Sequence, residues 1–190
     1  MEKSNKEIYS IILAWWSGTR LWPISRKYFP KQFIKLEELW GTSLFQKTLQ
    51  RALKISSKEN ILIVTNNDYK FSCITQSEEI WARLDDCQFL VEPKAKNTLW
   101  AITFWMKNIQ DWTLWLILNS DQLMENEEIL LNAINEAKEI ADHSLVTFWI
   151  EPFNPHTWYW YIEAKKEWKP PFKVLNFKEK PKKEVAEEFI

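Results

Sequence analysis

Short apolar runs and longer amphipathic stretches alternate along most of the chain. Residues 8–14 (IYSIILA), 61–65 (ILIVT) and 114–118 (LWLIL) are apolar almost throughout, as expected of strands covered on both faces. Residues 146–150 (VTFWI) predict a further strand, and 88–91 a short one. Between them the period lengthens. Leu44, Phe45, Leu49, Ala52 and Leu53 fall on or near one face of a helix over 43–55, and Ser43 with Gln46 supplies a capping box at its start. Helices are also predicted over about 68–84 and 97–109. The clearest lies over 126–141, where Ile129, Leu130, Ala133, Ile134, Ala137, Ile140 and Ala141 recur at spacings of three and four. After Pro152 the rhythm changes. Residues 159–163 and 172–177 read as two strands around a Lys/Glu/Pro turn at 165–171. Strands interleaved with helices predict an α/β fold, mostly parallel with antiparallel additions at the end. No repeat, low-complexity tract or linker interrupts it.

In such sheets ligands sit beyond the carboxyl ends of the strands, which directs attention to the loop after Ala14. The charge balance excludes one class of partner: 25 basic against 26 acidic residues give a net charge of −1, which is no polycation seeking nucleic acid. No apolar run approaches the roughly 18 residues of a membrane span, and the N-terminal MEKSNKEIYSIILA is too polar for a secretory signal. Cys73 and Cys87 lack a CxxC spacing and enough histidines for a zinc site, so two reduced thiols in a cytoplasmic protein are expected.

One feature of the composition is abnormal. The chain has 2 glycines and 13 tryptophans, where ordinary usage gives about 7% glycine, or roughly 13 residues. Turns of an α/β domain need residues that accept positive φ, and each buried indole needs a partner for its N–H. Many of these tryptophans therefore stand where glycine belongs.

The loop reads Ala14-Trp15-Trp16-Ser17-Gly18-Thr19-Arg20-Leu21-Trp22-Pro23, followed by Ile24-Ser25-Arg26 and Pro30-Lys31-Gln32-Phe33. With glycine at 15 and 16 it becomes AGGSGTRLWPISR…PKQF. This resembles the signature of the sugar-nucleotide pyrophosphorylases, in the form found in mannose-1-phosphate guanylyltransferases. The chemistry suits the residue types. A nucleoside triphosphate must lie against backbone N–H groups, which calls for glycine. An arginine and a lysine then neutralise phosphate charge and stabilise the pentacoordinate phosphorus. The resemblance places these roles on Arg20 and Lys31, with Ala14 to Arg20 cradling the nucleotide.

Further segments carry the same resemblance. Glu92-Pro93-Lys94-Ala95-Lys96-Asn97-Thr98 is similar to EPxxRNTAPA, which implies nucleoside contacts from Glu92, Asn97 and Thr98. Lys96 replaces the usual arginine and loses its planar fork. Leu118-Asn119-Ser120-Asp121-Gln122 is similar to LPSDH, which implies that Asp121 binds a catalytic Mg²⁺, although Asn119 and Gln122 depart from the pattern. The stretch from Val146 to Ile162 resembles VTFGIxPxxPxTGYGYI, which implies sugar contacts near Trp158 and Trp160. Phe177-Lys178-Glu179-Lys180-Pro181 resembles FxEKP, which implies that Glu179 holds sugar hydroxyls and Lys180 the sugar phosphate.

Trp22 matches a tryptophan of the family motif. Trp15, Trp16, Trp149, Trp158 and Trp160 fall on family glycines, and Trp168 lies in a turn where glycine is natural. Trp81, Trp100, Trp105, Trp112 and Trp115 are compatible with a small residue, and Trp40 is ambiguous. A single mechanism accounts for the set: UGA codons read as glycine in the source and translated here as tryptophan. With real indoles at 15 and 16 the phosphate loop would be blocked.

The resemblance implies a Rossmann-like nucleotidyltransferase sheet with helices on both faces, C-terminally incomplete, residues 1–190 forming part of one catalytic domain. It implies transfer of GMP from GTP to α-D-mannose 1-phosphate, giving GDP-mannose and diphosphate with Mg²⁺. No nucleic acid or membrane partner is expected, and the 190-residue chain alone is expected to be inactive. A homo-oligomer of the full-length enzyme is compatible with this reading, and no residue decides it. The alternatives are another sugar-1-phosphate nucleotidyltransferase, or a relic that only folds or binds a partner.

Overall fold

A computed structural model describes residues 6–16, 23–26, 29–92, 102–103, 113–165 and 167–190. The described chain divides into two compact units, 1–132 and 133–190. Among the described residues no helix is long and apolar enough to cross a membrane.

The first unit is built on four parallel strands. β1 (Ile8–Leu13) pairs with a strand on either side, and all its residues but Tyr9 are buried, as the unbroken apolar run predicts. A two-residue antiparallel pair follows, β2 (Lys35–Leu36) with β3 (Thr42–Ser43). Helix α1 (Leu44–Leu53) starts at Ser43. There the predicted capping box is formed: the Gln46 N–H donates to the Ser43 hydroxyl at 3.1 Å, and the Ser43 N–H donates to the Gln46 side chain at 2.9 Å. β4 (Ile61–Thr65), α2 (Asn67–Glu79), β5 (Phe89–Val91), β6 (Leu114–Asn119) and α3 (Glu127–Ala141) complete the alternation. Sheet order is β5-β4-β1-β6. Ile11, Leu13, Val64 and Leu90 pack as one apolar cluster across three of these strands.

Two differences from the expected elements are informative. Helix α2 ends at Glu79, five residues short of the predicted end. Its stop is a Schellman motif: the Trp81 N–H donates to the Glu78 carbonyl at 2.9 Å and the Ala82 N–H to the Ser77 carbonyl at 3.0 Å, with Trp81 at φ 62°. The turn before β3 repeats the pattern. The Trp40 N–H donates to Glu37 at 2.9 Å and the Gly41 N–H to Leu36 at 3.0 Å, with Trp40 at φ 57°. Left-handed backbone in this motif belongs to glycine. Both indoles hang in solvent, Trp40 90% and Trp81 80% exposed. The second difference is residues 146–150, predicted as a strand, which have no strand structure and are largely exposed. A strand exists only by pairing, and an apolar run alone does not supply the partner. The predicted helix over 97–109 falls mostly outside the described residues; Ile102 and Thr103 are helical.

The second unit holds the end of α3, an antiparallel hairpin of β7 (Trp160–Lys165) and β8 (Lys173–Glu179), and the short helix α4 (Lys183–Glu187). Among the described residues its buried positions are Ile134, Tyr161, Pro181 and Ala186. The Tyr161 ring lies 5.7 Å from that of Phe189, and its hydroxyl donates to the His156 carbonyl at 3.1 Å.

Candidate active site

The parallel register brings four strand ends to one edge. Leu13 stands opposite Val64 and Asn119, and Thr65 opposite Val91. Continued one or two residues past the strand ends, this register sets Glu92, Asn66, Trp15 and Asp121 side by side, in the order of their strands. At the spacing of neighbouring strands, the row from Glu92 to Asp121 spans about 14 Å. The chain moves outward from β1 to β4 and β5, then returns to the other side of β1 as β6. The topological switch point is thus between β1 and β6, the place where α/β sheets bind ligands.

Lys31 and Asp121 meet at that point. Lys31 begins a 3-10 turn over Lys31–Phe33, and its ammonium lies 3.8 Å from the Asp121 carboxylate, both groups partly open to solvent. A cation beside a carboxylate on an accessible edge can take up phosphate charge from one side and bind a divalent ion from the other. Among the described residues no three His, Cys, Asp or Glu side chains cluster around a metal-sized space. One open carboxylate is nevertheless what Mg²⁺ uses when substrate phosphates and waters fill its remaining positions. Asp121 fits that role.

The backbone leaving β1 is held by side chains. The Thr65 hydroxyl donates to the Ala14 carbonyl at 3.1 Å, the Asn66 amide to the Trp15 carbonyl at 3.5 Å, and the Gln32 amide to the Trp16 carbonyl at 2.8 Å. Sequence reasoning assigns none of these three residues a role. Gln32 carries a signal in its place within PKQF; Thr65 and Asn66 carry none beyond ending an apolar run. The Trp15 and Trp16 rings stack at 4.6 Å. Trp15 leans on the apolar cluster, and its indole N–H is buried without a partner, a cost of about 1–3 kcal/mol that glycine would not incur. Ser17, Gly18, Thr19, Arg20, Asn97 and Thr98 lie outside the described residues.

At the far end of the row, Glu92 donates its backbone N–H to Thr65 at 2.8 Å, and one oxygen of its carboxylate is buried without a partner. Burial pushes this carboxyl above the ordinary range.

In the second unit, Trp160 and Glu179 occupy one rung of the hairpin, so their side chains share a face. Lys180 follows in left-handed backbone at φ 39°, a strained state for a non-glycine residue of the kind that gathers at functional sites. Trp158, Trp160, Glu179 and Lys180 are all exposed.

A cavity of about 900 Å³ lies elsewhere in the first unit, lined among others by Trp40, Lys47, Arg51, Lys54 and Glu127. Arg51 is fully buried there, 3.5 Å from Glu127, which also accepts from Lys54 at 2.7 Å.

The sequence profile described as Nucleotidyl transferase matches residues 9–190. The mannose-1-phosphate guanylyltransferase of Salmonella montevideo is 32% identical over 192 residues, covering 96% of this chain and 40% of that protein. The alginate biosynthesis protein AlgA of Pseudomonas putida is 34% identical over 187 residues, covering 95% of this chain and 38% of that one. Among solved structures, a Thermus thermophilus protein described as a mannose-1-phosphate geranyltransferase superposes with a TM-score of 0.78 at 25% identity, covering 96% of this chain and 53% of that one. A Helicobacter pylori protein described as a mannose-6-phosphate isomerase gives 0.77 at 28% identity, covering 96% and 64%. The chain thus spans about two fifths of the length of the curated relatives it matches.

Proposed function

The chain belongs to the nucleotidyl transferase family, and from that premise we propose that the protein it represents transfers GMP from GTP to mannose 1-phosphate, releasing diphosphate. The observation that carries this reading is the meeting of Lys31 and Asp121 at the switch point, beside a loop whose carbonyls are tied back to the protein. The names of the relatives supply the sugar phosphate and the base.

The attacking oxygen belongs to the sugar phosphate, and diphosphate leaves in line from the α-phosphorus. No covalent intermediate is required; positioning and charge neutralisation suffice. Lys31 would hold the negative charge that builds on the α-phosphate oxygens, together with Arg20. Glu92 would accept a hydrogen bond from an N–H or O–H of the nucleoside with its unused oxygen, and Asn97 and Thr98 would complete that pocket. Trp158 and Trp160 mark the sugar segment, with Glu179 accepting from sugar hydroxyls and Lys180 holding the sugar phosphate. Mg²⁺, when bound at Asp121, supplies further charge neutralisation on the phosphates.

Glycine at 15, 16, 149, 158 and 160 is part of this reading. The test compares the chain as written with one carrying Trp→Gly at those five positions. Binding of GTP, ATP, CTP and UTP with Mg²⁺ is measured by calorimetry. The glycine form is expected to bind GTP best and the tryptophan form to bind none well. Equal affinity across the four triphosphates would remove the guanylyl assignment, and no binding by the glycine form would remove the nucleotidyl-transfer reading of this site. Mass spectrometry of the protein from its source decides the glycine question directly: indole at 15 or 16 would end it.

A further inference from the structure

We propose that Gln32 is a positioning residue that fixes the loop after β1 against Lys31, an inference that rests on the nucleotide-binding reading of that loop. The turn Lys31–Phe33 links three parts of the first unit, one residue to each. Lys31 faces Asp121 at the end of β6. Gln32 is 1% exposed, and its amide donates to the Trp16 carbonyl at 2.8 Å. Phe33 is fully buried against the rings of Phe45 and Tyr69, at 5.4 and 5.8 Å, and its carbonyl accepts from Gln76 of α2 at 2.8 Å. The turn is therefore anchored from behind by Phe33 and Gln76. It presents a cation on one side and an amide donor on the other, from two adjacent residues.

A loop that binds phosphate does so with its N–H groups, and in a trans peptide the carbonyl points opposite to the N–H of the next residue. Holding a carbonyl therefore sets the direction of that N–H. Thr65 and Asn66 hold the carbonyls of Ala14 and Trp15 from β4 and the residue just beyond it. Gln32 holds the next one from the turn that carries the lysine. Its contact ties the backbone at Trp16 to the turn that carries the ammonium, the two features that must grip one triphosphate together. The acceptor is a backbone carbonyl, a group that glycine at 16 would also present. Misplacement by about 1 Å between such groups is enough to weaken binding and turnover by orders of magnitude.

The test uses the full chain in its glycine form as parent. Gln32→Met keeps the length of the side chain and removes the donor. GTP with Mg²⁺ is titrated beside guanosine, which lacks phosphates, and thermal unfolding is followed in parallel. The expected result is GTP binding weakened at least ten-fold, guanosine binding changed less than two-fold, and an unfolding midpoint within a few degrees of the parent. Gln32→Glu, of the same shape but with an acceptor in place of the donor, carries the same expectation should the methionine variant not fold. A parent and variant with equal GTP affinity would overturn the inference alone, as would a parallel loss of guanosine and GTP binding. A parent that binds no GTP would overturn the underlying reading, and this inference with it.

Discussion

The carboxyl edge of the sheet and the hairpin of the second unit both carry a lysine and a carboxylate, but they hold them differently. At the edge, strands covered on both faces fix the positions of Ala14, Asn66, Glu92 and Asp121. Three buried or half-buried side chains then tie down the exit from β1. In the hairpin, every residue of β8 is exposed, and among the described residues β7 and β8 pair only with each other. A two-stranded ribbon of this kind has little stability of its own. Removing buried charged partners in the first unit should therefore cost stability, whereas substitutions of exposed groups, at the edge or on the hairpin, should touch function alone.

The largest effect is expected at Lys31. In the whole enzyme with glycine restored, Lys31→Ala should lower kcat/KM about 10²–10³-fold, or roughly 3–4 kcal/mol of transition-state stabilisation, on the scale of an oxyanion donor. The group is partly exposed, so the unfolding midpoint should stay within a few degrees. Steady-state kinetics and a melting curve check both; unchanged turnover would take Lys31 out of the mechanism. Lys180→Ala provides the sharper comparison. It should raise the KM for the sugar phosphate without lowering the affinity for GTP.

Next comes Glu127, at the start of α3. Its removal leaves the Arg51 guanidinium, 1% exposed, buried without its carboxylate. Glu127→Ala should cost about 3 kcal/mol in urea unfolding, while Glu179→Ala on the hairpin should cost less than about 0.5 kcal/mol. The same pair gives a pH dependence. Burial works to raise the Glu127 carboxyl, but the hydrogen bond and charge from Lys54, with the charges of Arg51 and Lys47, outweigh it and hold the group below its ordinary range. A depressed carboxyl stabilises the fold fully above its unfolded pKa of about 4.3 and loses that contribution as pH falls through the folded value. Stability of the parent should thus drop as pH falls below about 4, and the drop should be smaller in Glu127→Ala.

Reactivity of the thiols separates core from surface on a smaller scale. Burial pushes the Cys73 thiol up to about 12, against a weaker opposing hydrogen bond with Thr65 at 3.7 Å, whereas Cys87 is exposed. Iodoacetamide at pH 8 should alkylate Cys87 and leave Cys73 intact until denaturant is added, as read by peptide mass spectrometry.

What is legible in the sequence follows from which interactions are local. The runs at β1, β4 and β6 announce buried parallel strands because both faces need apolar cover, and Ser43 with Gln46 announces a helix start three residues apart. The pins on the loop are not legible: Gln32 reaches across 16 residues and Asn66 across 51, and no periodicity records such a bond. The apolar run 146–150 reads as a strand without being one, because pairing is a tertiary property. The end of α2 escapes for another reason. A helix stop is normally written as glycine, and here the letter at that place is tryptophan.

The smallest and most specific effects are expected at such tryptophans. Trp40 and Trp81 share one motif, the same pair of backbone hydrogen bonds, positive φ and a ring in solvent. A left-handed non-glycine residue costs about 1–2 kcal/mol, and glycine adds back some chain entropy to the unfolded state. Trp40→Gly and Trp81→Gly should therefore each stabilise the first unit by about 1 kcal/mol in denaturant unfolding, since the strain goes and little packing goes with it, Trp81 giving up its contact with the Arg83 guanidinium at 5.9 Å. Trp168→Gly, at a fully exposed position without positive φ, should change stability by less than about 0.5 kcal/mol. Equal responses at all three would mean that solvent exposure, and not the backbone, governs these sites. A loss of stability at 40 or 81 would mean that the indoles are held by interactions worth more than the strain they impose.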